Sequence, residues 1–488
     1  MRRLQKLFIH KLLLPTQVAD AALFFMENIS DPLVLVSDEL AALDVLNLCG
    51  GPYICDIVTP TARRIGVSCA LRTIPQSLGH LTGLTTLVID FFRVLEELPE
   101  SLGQLTSLTN LSLHSCFLLT ALPESLGKLE SLKMLCMTSL SALARLPASL
   151  GQLTLITTLD VSYCETITEL PESLGRLTML TVLRLKSCSS VTELPESLGQ
   201  LTALTLLDIR YCSALTRLPE SLGRLAVLTF CNPRGCCALT MLPESLGQLA
   251  GLNLLDLSQC DALTGLPESL GQLAALTTLK IKFDAYSPNS LRRLPESLGQ
   301  LAALTTLDLS GCSALTELPE SLGRLATLTT FHLPPFIHTL PDWVMQLTKL
   351  TTLDLRGCRA LTGLPESLGQ LAALTMLDVA FSGVTRLPES LGRLTALSEL
   401  HIGFCQLTRL PFFIAHTPDS FLLEPGSCSP LTIPPRDVVR AGMPAIKMFL
   451  LARHHTLKML LLILAARRRR VRHPPAELWV LICDDYFE

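Results

Sequence analysis

Charge is scarce in this chain. Asp, Glu, Lys and Arg make up 17% of its 488 residues, against 49% hydrophobic. That balance excludes disorder over most of the length, because apolar surface is available to bury. A strong excess of one sign is missing too. The formal net charge is −4, with 7 basic and 7 acidic residues in 1–74, 22 and 31 in 75–435, and 10 and 5 in 436–488. A mildly acidic middle and a basic end do not suggest a nucleic-acid partner. Long apolar runs are absent: the longest near the end, Met459 to Ala466, is far below the ~20 residues that span a bilayer. No G-x-x-x-x-G-K-[ST] loop and no kinase signature set occurs. No catalytic triad or metal cluster stands out either. The expectation is a non-catalytic protein without cofactor, metal, small-molecule substrate or membrane span. The first twenty residues are basic, with no acid before Asp20. They read as a first amphipathic helix or, without the usual serine enrichment, as a targeting segment.

What the chain has in abundance is one repeated unit. "LPESLG" and close variants recur with prolines at 75, 99, 123, 147, 171, 195, 219, 243 and 267, each 24 residues apart. The series runs on from Pro295 to Pro411 with steps of 22 to 28, giving fifteen units. The cleanest unit is "LPESLGQLAALTTLDLSGCSALTE", Leu294 to Glu317. Its centre alternates apolar and polar residues, as a short strand does. Its "PESLGQLAAL" segment spaces leucines by three, as a helical or 3₁₀ turn does, and opens on proline, where a missing N–H is harmless. One strand and one turn cannot close a core, so neighbouring units must stack.

The pattern L-x-x-L-x-L-x-x-C-x-x-L-x-x-L-P resembles the leucine-rich-repeat family. With its cysteine and following LPESLG, it resembles the repeats of plant disease-resistance proteins and of Ras-group intracellular leucine-rich-repeat scaffolds. The resemblance covers residues 73–435. It implies an α/β solenoid of about 15 repeats, with a curved parallel inner sheet, helical or 3₁₀ turns outside and helical caps. It implies a protein-interaction scaffold or sensor, in intracellular signalling or defence. The nucleotide-binding module of resistance receptors is not found.

Seventeen cysteines invite a metal or disulfide framework. The register argues otherwise. Ten of them, Cys116, Cys164, Cys188, Cys212, Cys236, Cys260, Cys312, Cys358, Cys405 and Cys428, fill one slot, seventeen residues after the phase proline. A recurring slot after each strand suits an inward ladder of reduced thiols rather than one tetrahedral site. In "TFCNPRGCCALT", Thr229 to Thr240, Cys231 and Pro233 fall on core positions. A proline inside a parallel sheet predicts a locally irregular strand or kink. "FHLPPFIH", Phe331 to His338, and the longer Lys282 to Arg293 are expected as further faults, the second as a bulged-out loop. The recurring glutamates of PESLG read as a solvated acidic edge.

Variation among units concentrates on the outward positions of the strands. There Tyr163, Arg184, Lys186, Asp208, Arg210, Tyr211 and Arg234 fall on adjacent units, with Lys280 and Lys282 further along. Aromatics with guanidinium forks on a concave sheet suit a protein partner carrying an acidic or phosphorylated segment. The alternative is mutual neutralisation across strands by Asp160, Asp208 and Asp256.

Three regions are expected: 1–72, a helical cap or divergent adaptor module; 73–435, the repeats; and 436–488, capping helices and a basic tail. Within the first, 38–65 has helical spacing. In the third, the stretch from Ser429 to His455 resembles the closing segment of Ras-group and Roco-type repeat proteins, and a second helix is expected after it. Arg467 to Arg472 reads as a solvated helix end, a nuclear signal or an acidic-surface contact. The end, "HPPAELWVLICDDYFE", resembles the opening of an F-box, which gives a second function: substrate receptor of a ubiquitin ligase. Cys483 in "CDD" has the local spelling of leucine-rich-repeat ubiquitin ligases, a third and remoter function. The location expected is cytoplasmic, with the nucleus open through the arginine run.

Overall fold

The computed structural model describes residues 45–49, 63–66, 72–74, 76–284, 289–424 and 431–468. Cys428, the F-box-like stretch and Cys483 lie outside them. The chain divides after Thr306 into two compact units.

In the first unit the strands are parallel, and from Thr86–Asp90 onward they follow chain order. Thr86–Asp90, Asn110–His114 and Met134–Thr138 have five residues; those from Thr158–Asp160 to Thr278–Lys280 have three. Pairing runs without slippage, Asp160 against Arg184 and Arg184 against Asp208. Val45–Cys49 lies parallel between Arg63–Gly66 and Thr86–Asp90. These two strands fall in the stretch whose spacing suggested helix. The exposed edge of Thr86–Asp90 offers unpaired backbone groups, and a short extended segment satisfies them where a helix cannot. The second unit repeats the scheme with Thr330–His332, Thr352–Asp354, Met376–Asp378, Glu399–His401 and Leu422–Glu424.

Each phase proline is followed by a five-residue 3₁₀ turn, fifteen among the described residues. Pro99 accepts from Leu102 N–H at 3.0 Å, and Leu102 from Leu105 N–H at 3.1 Å. The leucines of turn and strand meet in one column. Leu102, Leu105, Leu108, Leu111 and Leu113 are fully buried, each contributing about 1.5–3 kcal/mol relative to exposure.

The PESLG consensus has a packing cause. Glu100, Glu124, Glu172 and Glu196 are not merely a solvated edge: each carboxylate accepts the main-chain N–H of the serine one repeat on, at 3.0–3.2 Å. The glycine has no room for a side chain. A Cβ on Gly151 would stand 2.4 Å from the Ser173 carbonyl, and one on Gly199 2.5 Å from that of Ser221. Neighbouring turns therefore touch backbone to backbone.

Of the irregular strand or kink expected at Pro233, the strand is irregular on one side only: toward Leu254–Asp256 its pairing stops at Cys231. Phe230–Asn232 pairs in register with Leu206–Asp208. Each strand is only three residues long, so the proline falls just past its end. The cost is one rung. Leu185 N–H reaches the Asp208 carbonyl at 2.8 Å, and Ile209 N–H reaches that of Asn232 at 3.2 Å. Pro233 has no N–H to give Asp256 in the same way. Its own carbonyl accepts from Cys236 N–H and the Cys260 thiol. Thr330–His332 likewise keeps register, with Pro334 beyond its end. Of the expected bulged-out loop, residues 285–288 lie outside the described ones; on either side of them Phe283 and Leu291 are buried in the core.

At the carboxyl side of the second unit, α1 (Arg436–Arg440) ends at Ala441 and Gly442, whose φ of +87° suits glycine. It is followed by α2 (Met443–Arg468). One continuous helix replaces the expected two, because nothing between His455 and Thr456 interrupts the backbone bonding. Ile446 and Leu450 are buried, and α2 packs on the last 3₁₀ turn, Phe412–His416. Phe412 and His454 stack with ring centroids 4.2 Å apart.

Candidate protein-binding face

The strand face is shaped by three consecutive slots. The last strand residue is commonly Asp or Asn, and its side chain accepts the N–H two residues on: Asp160 from Ser162 at 3.0 Å, Asp208 from Arg210 at 3.2 Å, Asn232 from Arg234 at 3.0 Å, Asp256 from Ser258 at 3.0 Å. These carboxylates thus close the strand, a turn role that short Asx side chains fill well. The next slot but two has a left-handed backbone, at φ +63° for Tyr163, +61° for Tyr211, +77° for Gly235 and +57° for Phe381 and Phe404. After it comes the ladder cysteine, turned inward. Cys164, Cys188, Cys212 and Cys236 donate to the carbonyls of Met137, Val161, Leu185 and Ile209 at 3.1–3.2 Å. Burial pushes the Cys212 thiol up to about 12. The twelve cysteines from Cys116 to Cys405 are free thiols. No described cluster of three or more His, Cys, Asp or Glu could hold a metal ion.

The candidate residues sit on this frame as follows. Tyr163 and Tyr211 project from left-handed slots and are 42% and 39% exposed. The Lys186 ammonium lies 5.1 Å from the Tyr163 ring centroid. Tyr211 lies against Gly235, where a Cβ would stand 2.4 Å from its ring. Arg210 forks onto Asp208, Nε at 2.8 Å and Nη2 at 2.6 Å, and the hydrogen bond raises its pKa. Arg184 is only 3.9 Å from Asp160. Arg234 holds a buried Nε with no hydrogen-bond partner. Lys280 opposes Asp256 in register, and exposed Lys282 uses its N–H on the Ser258 hydroxyl at 3.3 Å. The structure thus gathers Tyr163 through Arg234 on adjacent repeats. It sets Lys280 and Lys282 apart, beyond the uncharged Ser258 and the acid Asp256. Neutralisation is partial: Arg210 is fully paired, Arg184 loosely, Lys186 and Arg234 not at all by carboxylates.

Two features escaped the sequence reading. Asp208 was read as a recognition residue and Asp160 and Asp256 as neutralising charges; all three also close the strands. The left-handed slot was visible in the Gly-Cys pairs at 235–236, 311–312 and 357–358, where glycine relieves a conformation that Tyr163 and Tyr211 adopt at a cost.

On the second unit's strand face, His332 and Asp354 are 2.8 Å apart. Burial opposes ionisation of Asp354, but bonds from His332 and the Arg356 N–H prevail and hold its carboxyl below the usual range. For Asp378 burial prevails, and its carboxyl is raised. Phe381 and Phe404 stack with centroids 4.7 Å apart.

No described helix is long and apolar enough to cross a membrane. None of the curated proteins compared matches the chain. The family model described as Leucine Rich Repeat matches residues 303–325 and 349–371. Among solved structures, a leucine-rich-repeat protein of Leptospira interrogans is similar at 27% identity and a TM-score of 0.62, over 85% of this chain and 97% of that one. A TDR receptor is similar at 23% identity and TM-score 0.46, covering 71% and 64%. The functional domain of InlJ from Listeria monocytogenes, described as including a cysteine ladder, follows at 23% and 0.41, covering 80% and 69%. Such folds serve generally as protein-interaction scaffolds. The strand, inward thiol and 3₁₀ turn that recur here form the unit of that fold: this chain carries leucine-rich repeats and has the leucine-rich-repeat solenoid fold.

Proposed function

We propose that this chain is a non-catalytic interaction scaffold that takes a partner on the strand face of its first unit. The ligand is an acidic or phosphorylated segment. The observation that carries this reading is the surplus of positive charge: Arg234 has a buried Nε without a partner, and Lys186 rests on Tyr163 instead of a carboxylate. A buried, unsatisfied guanidinium nitrogen is costly alone and is relieved by an incoming oxyanion. Exposed Tyr163 and Tyr211 add rigid apolar area. Free ladder thiols suit a reducing compartment. Intracellular signalling or defence is the setting that the repeat resemblance suggests.

The test is affinity capture with the intact protein beside an Arg184→Glu/Lys186→Glu/Arg210→Glu/Arg234→Glu variant, with glutamate-rich and phosphoserine peptides as direct probes. Loss of partners and of peptide binding in the variant is expected. An unchanged partner set, or equal binding of both peptides by the two proteins, removes this face from consideration.

A further inference from the structure

The second unit presents a strand face of the opposite character. Phe381 and Phe404 are 39% and 53% exposed, and their rings are close to parallel, 14° apart. Both occupy the left-handed slot that glycine fills at 311 and 357. A bulky residue accepts strain there, and what it gains is a ring standing clear of the sheet. The Arg356 guanidinium already lies 5.2 Å from the Phe381 centroid. Phe404 carries no such cation. Around His401, three residues before it, stand Asp378 at 3.5 Å, Glu399 at 3.8 Å and Glu424 at 3.9 Å. Asp378 is turned inward and accepts the Ala380 N–H at 2.8 Å. Glu399 and Glu424 are 46% and 59% exposed at the side chain, so their oxygens remain open to a partner.

We infer that the strand face of the second unit is a separate docking surface that takes a basic segment of a partner protein, seating one arginine or lysine on Phe404 and another against Glu399 and Glu424. This surface shares no residue with the basic face of the first unit and does not depend on that reading. The argument is charge complementarity with a geometric precedent. One cation of the segment takes on Phe404 the place that Arg356 has on Phe381, and a second meets the exposed carboxylates of Glu399 and Glu424. An apolar segment would bury Glu399 and Glu424 without compensation, and an acidic one would be repelled. Exposed stacked rings of this kind anchor interfaces when their surroundings are desolvated by a partner.

The experiment uses the full chain under reducing conditions and a fluorescein-labelled peptide of alternating Arg and Ala, read by anisotropy. Wild type is expected to bind saturably, more weakly as salt rises. Phe404→Asn removes the ring while tolerating the left-handed backbone, so the fold survives, which a matching urea midpoint verifies. Phe404→Asn and the Glu399→Gln/Glu424→Gln double variant are each expected to weaken binding about five- to tenfold, the scale of one cation–π or charge-assisted contact. Phe404→Trp, with the better cation-binding ring, is expected to bind at least as tightly as wild type. Glu130→Gln, which removes an exposed carboxylate on a turn of the first unit, is expected to change nothing. Absence of saturable binding, equal affinity for Phe404→Asn and wild type, or a loss in Glu130→Gln as large as in Phe404→Asn overturns the proposal. Concentration-dependent self-association that Phe404→Asn abolishes also overturns it, by making a second copy of this chain the occupant.

Discussion

The Glu196 carboxylate reaches out of its own repeat and accepts the N–H of Ser221, twenty-five residues on, at 3.0 Å. It also takes the Glu220 N–H at 3.2 Å. The first N–H groups of a 3₁₀ turn have no partner within the turn, and here the preceding repeat supplies one. The same contact recurs from Glu100 to Ser125, Glu124 to Ser149 and Glu366 to Ser390. Stacking is thus directional: each turn is capped by its predecessor.

Replacing Glu196 by Ala is expected to destabilise the protein by about 0.5–1.5 kcal/mol, the scale of a helix-cap loss. Burial opposes ionisation of Glu196, but the hydrogen bonds from Ser221 and Glu220 together prevail and lower its pKa. A carboxyl depressed in the folded state contributes stability above its unfolded pKa, about 4.3, and that contribution is lost as pH falls through the lower folded value. Urea midpoints between pH 7 and pH 3 should converge for Glu196→Ala and wild type. A constant gap across that range would contradict the role given to the carboxylate.

Glycines at two different slots of the repeat should behave oppositely. Gly151→Ala drives a Cβ to 2.4 Å from the Ser173 carbonyl and should cost about 2–3 kcal/mol, since backbone on both sides cannot retreat cheaply. Gly265 has no atom within 4 Å of its Cβ position and no positive φ, so Gly265→Ala should stabilise by about 0.4–1 kcal/mol through the unfolded chain. Thermal melts of the two variants give the comparison directly.

The ladder thiols should be inert and alkali-sensitive. Burial raises Cys116, Cys164, Cys212, Cys260 and Cys358 from an ordinary 9.0 to about 12. An acid whose folded pKa is raised leaves stability intact below the unfolded value and removes it as pH climbs past 9.0 toward 12, at about 1.4 kcal/mol per pH unit for each thiol. Far-UV circular dichroism should therefore show cooperative unfolding above pH 9 in reducing buffer. Among the described cysteines, a thiol reagent at pH 8 should label exposed Cys237, and half-buried Cys136 more slowly. Peptide mapping that finds Cys212 labelled in the native state would refute the ladder's burial.

Pro233→Leu restores both a core side chain and a donor for the Asp256 carbonyl, and should stabilise by about 1 kcal/mol. Slower amide exchange at Cys231, on the same strand, and at Leu257, just past the neighbouring one, should accompany the gain. A variant less stable than wild type would show that the proline is accommodated by more than one missing rung.

The repeat was legible because a 24-residue period writes the same constraints many times. The prolines placed the turns, and alternation at Leu307 and Leu309 placed the strands. The cysteine slot was legible as inward because ten copies shared one register. The two strands near the amino end were not: Val45–Cys49 alternates no better than a helix of that length, and it is extended because it pairs with Thr86–Asp90. The mild effect of Pro233 was hidden as well, since strand length is set by the Asx closure at Asn232 and not by the apolar pattern.

By itself the sequence determined the period, the leucine column, the turn positions and the roster of face residues, because each follows from spacing along the chain. Only the tertiary structure decided which carboxylates were already spent. Asp208 is locked to Arg210, while Arg234 keeps a buried nitrogen unpaired and Glu399 and Glu424 stay open. Charge in a list of residues has no direction; pairing depends on angstroms between neighbouring repeats, and those are fixed only when one repeat is laid against the next.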